Sequence, residues 1–161
     1  NGGKRVDIID INLNMLRNGM RKENDKIFYL VGNCENIPVQ DNTYDRVTIS
    51  FGLRNITYRE KALNEIYRIL KPGGRFICLE FSKVENKFIE KGYDIWSFKF
   101  LPLIGKLVTQ NRQAYQYLVE SIRQFPNQDK LALMMSNANF SRVKYKNLTQ
   151  GIVALHSGWK I

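Results

Sequence analysis

The sequence predicts an α/β fold built on a doubly wound, mostly parallel sheet, and three observations carry that prediction. Short Val- and Ile-rich runs alternate with longer stretches at helical spacing. The run KPGG (residues 71–74) breaks a helical pattern and leads straight into a strand-like one. Late in the chain, SRVKYKNL (141–148) and GIVALHSGW (151–159) meet around Thr149 to Gly151, a connection short enough for an antiparallel hairpin. The sheet should therefore be mixed, parallel first and antiparallel at its end. With 161 residues, 43% of them hydrophobic, the chain has the length and apolar content for one domain with a real core.

RVDIID (5–10) reads as the first strand, followed by a helix that Asn12 can cap and that runs through Leu13, Leu16 and Met20. KIFYLVG (26–32) is the second strand, and YDRVTISF (44–51) the third, entered from the turn-rich VQDNT. The clearest helix comes next. Thr57 with Glu60 three residues on predicts a capping box, and Ala62, Leu63, Ile66, Ile69 and Leu70 fall on one face. Pro72 cannot continue that helix, Gly73 and Gly74 permit a reversal, and RFICLEF (75–81) reads as a buried strand. From Ser82 to Phe125 the pattern is helical and aromatic, with Phe88, Tyr93, Trp96, Phe98, Phe100, Tyr115 and Tyr117; core packing is the first reading of such residues. A last helix after Pro126 places Leu131, Met134 and Met135 on its buried side.

Composition narrows the functional classes. The 25 Lys and Arg against 15 Asp and Glu give a net charge of +10, which favours anionic partners, whether nucleic acid, an acidic membrane surface or a polyanionic ligand. Abundant Asn beside Lys offers the alternative of compositional drift. Cys34 and Cys78 form no CxxC pair, so a disulfide framework is not expected and a reducing compartment fits. His156 is the sole histidine, which argues against a metal centre or a His-dependent triad and for a packed histidine near a strand end. The longest apolar stretch, FLPLIGKLV (100–108), falls well short of the ~20 residues a spanning helix needs. The chain opens at Asn1 without a leader-like pattern, so the expectation is that any targeting segment was removed or not included.

In open α/β sheets ligands bind beyond the carboxyl ends of the strands. Asp10 closes the first strand, where its carboxylate can accept hydrogen bonds from a ribose diol or else cap a helix. Asn33 and Cys34 follow the second strand and can read an adenine edge or merely form a turn. Ser50 and Gly52 end the third, and Gly52 lets the backbone approach a ligand.

These stretches, GNCENIP (32–38), YDRVTISFGLRN (44–55), YRILKPGGRF (67–76), LEFSK (79–83), ESIRQFPNQDKL (120–131) and NLTQGIVALHSGWK (147–160), resemble the ubiquinone/menaquinone C-methyltransferase (UbiE) family over nearly the whole chain. KPGG before a strand is common among methyltransferases of this fold, whereas ISFGLRN, LEFSK and the closing NLT.G..ALH.G are more specific. The resemblance implies a class I S-adenosylmethionine-dependent methyltransferase, Rossmann-like with a mixed sheet. It implies C-methylation of a polyprenylated benzoquinol or of demethylmenaquinol. By matched position, Asp10 would hold the cofactor ribose, Asn33 and Cys34 would face the adenine, and Ser50 would line the sulfonium side. Arg54 would stabilise the phenolate or orient a water that takes its proton, a guanidinium being a poor base by itself; the alternative is a surface arginine paired with a carboxylate. The first strand and glycine-rich loop of that fold have no counterpart in NGGKRVDIID, so residues 1–161 are expected to be one amino-terminally incomplete domain. The missing strand would lie between the first and third strands seen here and leave two edges open.

A quinol substrate also implies work at a bilayer surface. Residues 88–108 interleave aromatic side chains with Lys91, Lys99 and Lys106, which predicts a lid that docks on an acidic membrane. Expected localisation is the matrix face of the mitochondrial inner membrane in a eukaryote, or the cytoplasm in a bacterium. A quinone-biosynthesis complex or a homodimer is a further expected partner; nucleic acid is not. Rival readings are a methyltransferase for another small acceptor and a non-catalytic assembly subunit.

Overall fold

The computed structural model describes residues 5–20, 25–83 and 112–161. In chain order the elements are β1 (Val6–Asp10), α1 (Leu13–Gly19), β2 (Ile27–Val31), β3 (Tyr44–Ser50), α2 (Arg59–Ile69), β4 (Leu70–Phe81), α3 (Arg112–Gln124), α4 (Gln128–Asn137), β5 (Ser141–Leu148) and β6 (Val153–Trp159). Short 3-10 turns sit at Leu53–Asn55 and Thr149–Gly151. The segment from Phe88 to Val108, with the expected lid and most of the aromatic run, lies outside the described residues.

The strands form two sheets. β1 and β2 pair in parallel as a two-stranded unit. The other four take the order β3-β4-β6-β5, with β3 parallel to β4 and with β6 antiparallel to both β4 and β5. The mixed α/β character matches the expectation, including the hairpin at Thr149–Gly151, where Thr149, Gln150 and Gly151 all take positive φ to reverse the chain. No β1–β3 pairing occurs, so two strand edges are left open in the middle of the fold.

Asn12 caps α1 as expected, its side chain accepting from the Asn14 and Met15 N–H groups. Only Leu16 of that helix is buried, while Leu13 and Met20 are exposed. The capping box expected at Thr57 does not form. The N-cap of α2 is Tyr58 and makes no side-chain cap; its backbone N–H donates instead to Glu35 Oε1 at 3.0 Å, so a carboxylate from the loop after β2 satisfies this helix start. The apolar face of α2 is as predicted, with Ala62, Leu63, Ile66 and Ile69 all buried.

KPGG differs in role. β4 already begins at Leu70, and the register passes from Tyr44–Leu70 to Arg46–Arg75, so residues 71–74 bulge out of the ladder. Gly73 has φ +79, and a Cβ on Gly74 would lie 2.7 Å from the Lys71 carbonyl oxygen, which explains both glycines. The core gathers α2, Phe76 and Cys78 of β4, Leu131 and Met135 of α4, and Phe125 and Phe140 beside them. Met134 is partly buried against it. His156 lies mid-strand rather than near a strand end, opposite Cys78 and Tyr145, with Nε2 3.0 Å from the Gln128 carbonyl.

Candidate active site

The carboxyl ends of β1, β2 and β3 carry every predicted site residue. Asp10 is the last residue of β1, half-buried, and its Oδ1 accepts the Asn12 N–H at 2.8 Å. It therefore ties down the first turn after the strand while Oδ2 remains for a hydroxyl. Asn33 is exposed, and its Oδ1 accepts the Glu35 N–H at 2.9 Å. That leaves its amide hydrogens as the group able to meet an adenine ring nitrogen. Cys34 is half-buried, and burial, with the negative charges of Asp10 and Glu35, pushes its thiol pKa up. It stays a thiol, suited to packing and weak hydrogen bonding rather than to attack. Asp10 lies near enough to Cys34 for its charge to act on the thiol, and the Glu35–Tyr58 bond ties the loop after β2 to the start of α2.

Ser50 ends β3 and is exposed. Beyond it, Phe51 takes φ +53 and the Leu53–Asn55 turn buries Leu53 completely. This turn explains why the strand stops at Ser50, short of Gly52: the chain must fold Leu53 into the core before α2 begins, and that places Arg54 beside the end of β4. Arg54 is not a surface residue. Its side chain is 12% exposed and pairs with Glu80 at 3.0 Å, Glu80 itself being 1% exposed. Nη1 also donates to the Phe51 carbonyl, and the guanidinium carbon lies 5.5 Å from the Phe81 ring centre. A polar cavity of about 330 Å³ is lined by Arg54, Asn55, Arg59, Tyr117, Glu120 and neighbours. In it, Tyr117 Oη donates to Asn55 Oδ1 at 3.2 Å and Arg59 Nη2 to the Arg54 carbonyl at 3.1 Å.

The site residues thus fall into two groups, Asp10, Asn33 and Cys34 on the two-stranded sheet and Ser50 and Arg54 on the four-stranded one. Between the sheets runs a larger cavity of about 650 Å³. Its walls include Val6, Asp7 and Ile9 of β1, Tyr44 to Ile49 of β3, and Ile66 and Ile69 of α2. It lies along the two open edges, with Cys34 from the loop after β2 in its wall, and so forms a slot between them. Tyr44 Oη bridges it to Asp7 Oδ2 at 2.7 Å. Burial and that hydrogen bond raise the Tyr44 pKa to about 12. Burial also works on Asp7, but the hydrogen bonds from Arg5 and Tyr44 outweigh it and hold the carboxyl below its usual range.

Sequence reasoning missed Glu80, Tyr117, Arg59 and Glu35. Glu80 had a signal: it falls on the same alternation as Phe76 and Cys78, which marks a charge facing inward. Among the described residues no cluster of His, Cys, Asp or Glu could hold a metal, and no helix is long and apolar enough to cross a membrane.

An α/β unit with polar loops converging at parallel strand ends is the architecture of Rossmann-like methyltransferases. A Thermotoga maritima S-adenosylmethionine-dependent methyltransferase superposes with a TM-score of 0.68 at 19% identity, over 96% of this chain and 72% of its own. Haemonchus contortus phosphoethanolamine N-methyltransferase 2, solved with S-adenosyl-L-methionine, gives 0.67 at 12% identity, over 97% of this chain and 43% of its own. The profile of the ubiE/COQ5 methyltransferase family matches residues 1–160, and this chain belongs to that family. Ubiquinone/menaquinone biosynthesis C-methyltransferase UbiE of Brucella canis is 50% identical over 161 residues, covering 97% of this chain and 60% of that protein. The mitochondrial 2-methoxy-6-polyprenyl-1,4-benzoquinol methylase of Xenopus laevis is 47% identical over 164 residues, 99% of this chain and 53% of its own length. The chain spans 60% and 53% of these two relatives.

Proposed function

We propose that this chain is the greater part of an S-adenosylmethionine-dependent C-methyltransferase acting on a polyprenylated benzoquinol or on demethylmenaquinol. The observation that carries the reading is the placement of Asp10, Asn33 and Cys34 at the carboxyl ends of the parallel pair β1 and β2, and of Ser50 and Arg54 beyond the carboxyl end of β3, in a chain of this family. The donor set fits the cofactor: Oδ2 of Asp10 is free for a ribose hydroxyl and the Asn33 amide hydrogens for adenine, while Cys34 offers an uncharged surface and Ser50 lines the sulfonium side. Bound S-adenosylmethionine supplies a methyl group activated by its sulfonium. The ring carbon of the acceptor becomes nucleophilic as a ring hydroxyl loses its proton, and Arg54 stabilises the negative charge that develops or orients the water that takes the proton.

In the same reading residues 1–161 are one methyltransferase domain whose sheet is completed by a further strand in the slot between β1 and β3. A basic chain suits an acidic membrane surface at the mitochondrial matrix face or in a bacterial cytoplasm, with a homodimer or a quinone-biosynthesis complex as protein partner.

The test is calorimetry with S-adenosylmethionine, and methyl transfer to a short-chain polyprenyl benzoquinol. It is run on this chain and on the same chain joined to the amino-terminal segment of a UbiE relative. The joined chain should bind and turn over. Asp10→Ala in it should weaken cofactor binding by about 1 to 3 kcal/mol, the scale of charge-assisted hydrogen bonds. Arg54→Ala should lower turnover far more than cofactor affinity, because its interaction strengthens in the transition state. Unaltered affinity in the first variant, or equal losses in the second, would remove the corresponding assignment.

A further inference from the structure

Glu80 occupies an inward position of β4, on the face shared with Phe76 and Cys78, and is 1% exposed. A buried carboxylate persists only when cations or N–H groups satisfy it. Three N–H groups do so here. Oε1 accepts the Phe81 N–H at 2.9 Å and Arg54 Nη1 at 3.0 Å, and Oε2 accepts the Arg54 backbone N–H at 3.2 Å. Two of the three belong to one residue, so a single carboxylate grips Arg54 by both its main chain and its guanidinium. The Phe51 carbonyl takes a second bond from Nη1, and the Phe81 ring lies against the group. Nη2 of Arg54, by contrast, makes no hydrogen bond among the described residues, while its Nε is buried without a partner, as are the Nε atoms of Arg59 and Arg75.

Nη1 is thus clamped, and Nη2 is left without a partner on a residue that lines the polar cavity. An arginine that must meet an oxygen of a bound acceptor needs such a clamp, because an unclamped guanidinium would turn toward other acceptors, and Glu120 lines the same polar cavity.

We propose that Glu80 is the positioning residue for Arg54: it fixes the direction of the guanidinium and balances its charge, which keeps the remaining N–H edge for the acceptor oxygen. This rests on the role given to Arg54 in the proposed function. It acts through Arg54 and touches neither substrate nor cofactor.

The experiment compares Glu80→Gln, Arg54→Ala and the double variant in the joined chain. Glu80→Gln should lower turnover by about 10- to 100-fold while KM for the quinol and cofactor affinity stay within about twofold, the split expected when a group matters mainly in the transition state. Adding Glu80→Gln to Arg54→Ala should cause no further loss of turnover, since both act on one group. Low-millimolar guanidinium should restore activity several-fold, on the order of tenfold, to Arg54→Ala but not to the double variant, because Glu80 would hold the added cation in the vacated place. A folded Glu80→Gln enzyme with full turnover, or losses that multiply in the double variant, would overturn the proposal. If Glu80→Gln does not fold, the rescue of Arg54→Ala alone decides, as it retains Glu80; failure of rescue overturns it. Full activity in Arg54→Ala would instead overturn the role of Arg54, and the proposal with it.

Discussion

The two sheets end in different physical states, and the more apolar strands are the less buried. β1 and β2 are richer in Val, Ile and Phe than β4 and β6, yet Val6, Ile8, Phe28 and Val31 are 52%, 39%, 43% and 55% exposed. In β4 and β6 alternate residues are fully buried, Phe76, Cys78 and Ala154 at 0%. The difference lies in what covers them. The four-stranded sheet is packed by an 11-residue α2 and a 10-residue α4, whereas the two-stranded one meets the 7-residue α1, with Leu16 alone buried. A two-stranded ribbon is marginal by itself, so β1 and β2 depend on Ile9, on the Tyr44–Asp7 bridge and on Gly32, whose missing Cβ lets Pro38 pack close. Strand propensity makes both sheets; layering makes only one of them a core.

That contrast can be broken most directly by truncation. Phe76→Ala should cost about 3 to 5 kcal/mol of unfolding free energy, and Ile8→Ala within about 0.5 kcal/mol, when both are read by urea denaturation. Comparable losses would show that the ribbon is as well packed as the larger sheet. A smaller change sharpens the coupling between them. Tyr44→Phe removes the bridge across the slot and should cost about 1 kcal/mol, with amide exchange accelerated in β1 and β2 and unchanged in β4 and β6. Equal acceleration in both sheets would mean that they open together.

The smallest effect concerns acidity. Burial holds the His156 pKa below its usual 6.5, although the bond to the Gln128 carbonyl and the charge of Asp129 oppose the shift. The ring stands between the backbone of Gln128 and the ring of Tyr145, and Nδ1 has no partner. Because the unfolded chain binds this proton more readily, its contribution to stability is complete above pH 6.5 and is lost as pH falls through the lower folded value. Melting curves from pH 7 downward should show a decline that flattens in His156→Gln, and the exchange rates of β1 and β2 should not follow it.

The placement of several candidate residues was readable because it depends on local chemistry. Asp10, Asn33, Cys34 and Ser50 stand at strand ends that hydrophobic alternation marks, and Gly52 flags the turn that follows. The helix start at Tyr58 was misread because its N–H partner, Glu35, is 23 residues away, and no capping pattern within the helix could reveal it. Arg54 was read as a candidate without the partner that holds it. The Arg54–Glu80 pair spans 26 residues and exists only because β3 and β4 lie side by side in parallel.

The sequence by itself determined the order of strands and helices, the inward faces of α2 and α4, the terminal hairpin and the family. Those follow from periodicity, turn residues and motifs, which are properties of neighbouring positions. The two open edges between β1 and β3 were already expected from the family resemblance, whereas only the tertiary structure decided that KPGG bulges from a strand instead of preceding it and that a buried carboxylate clamps Arg54. Each of these is a contact between distant residues, fixed by sheet register and by which surfaces find a covering layer, and such contacts leave no local trace in the chain.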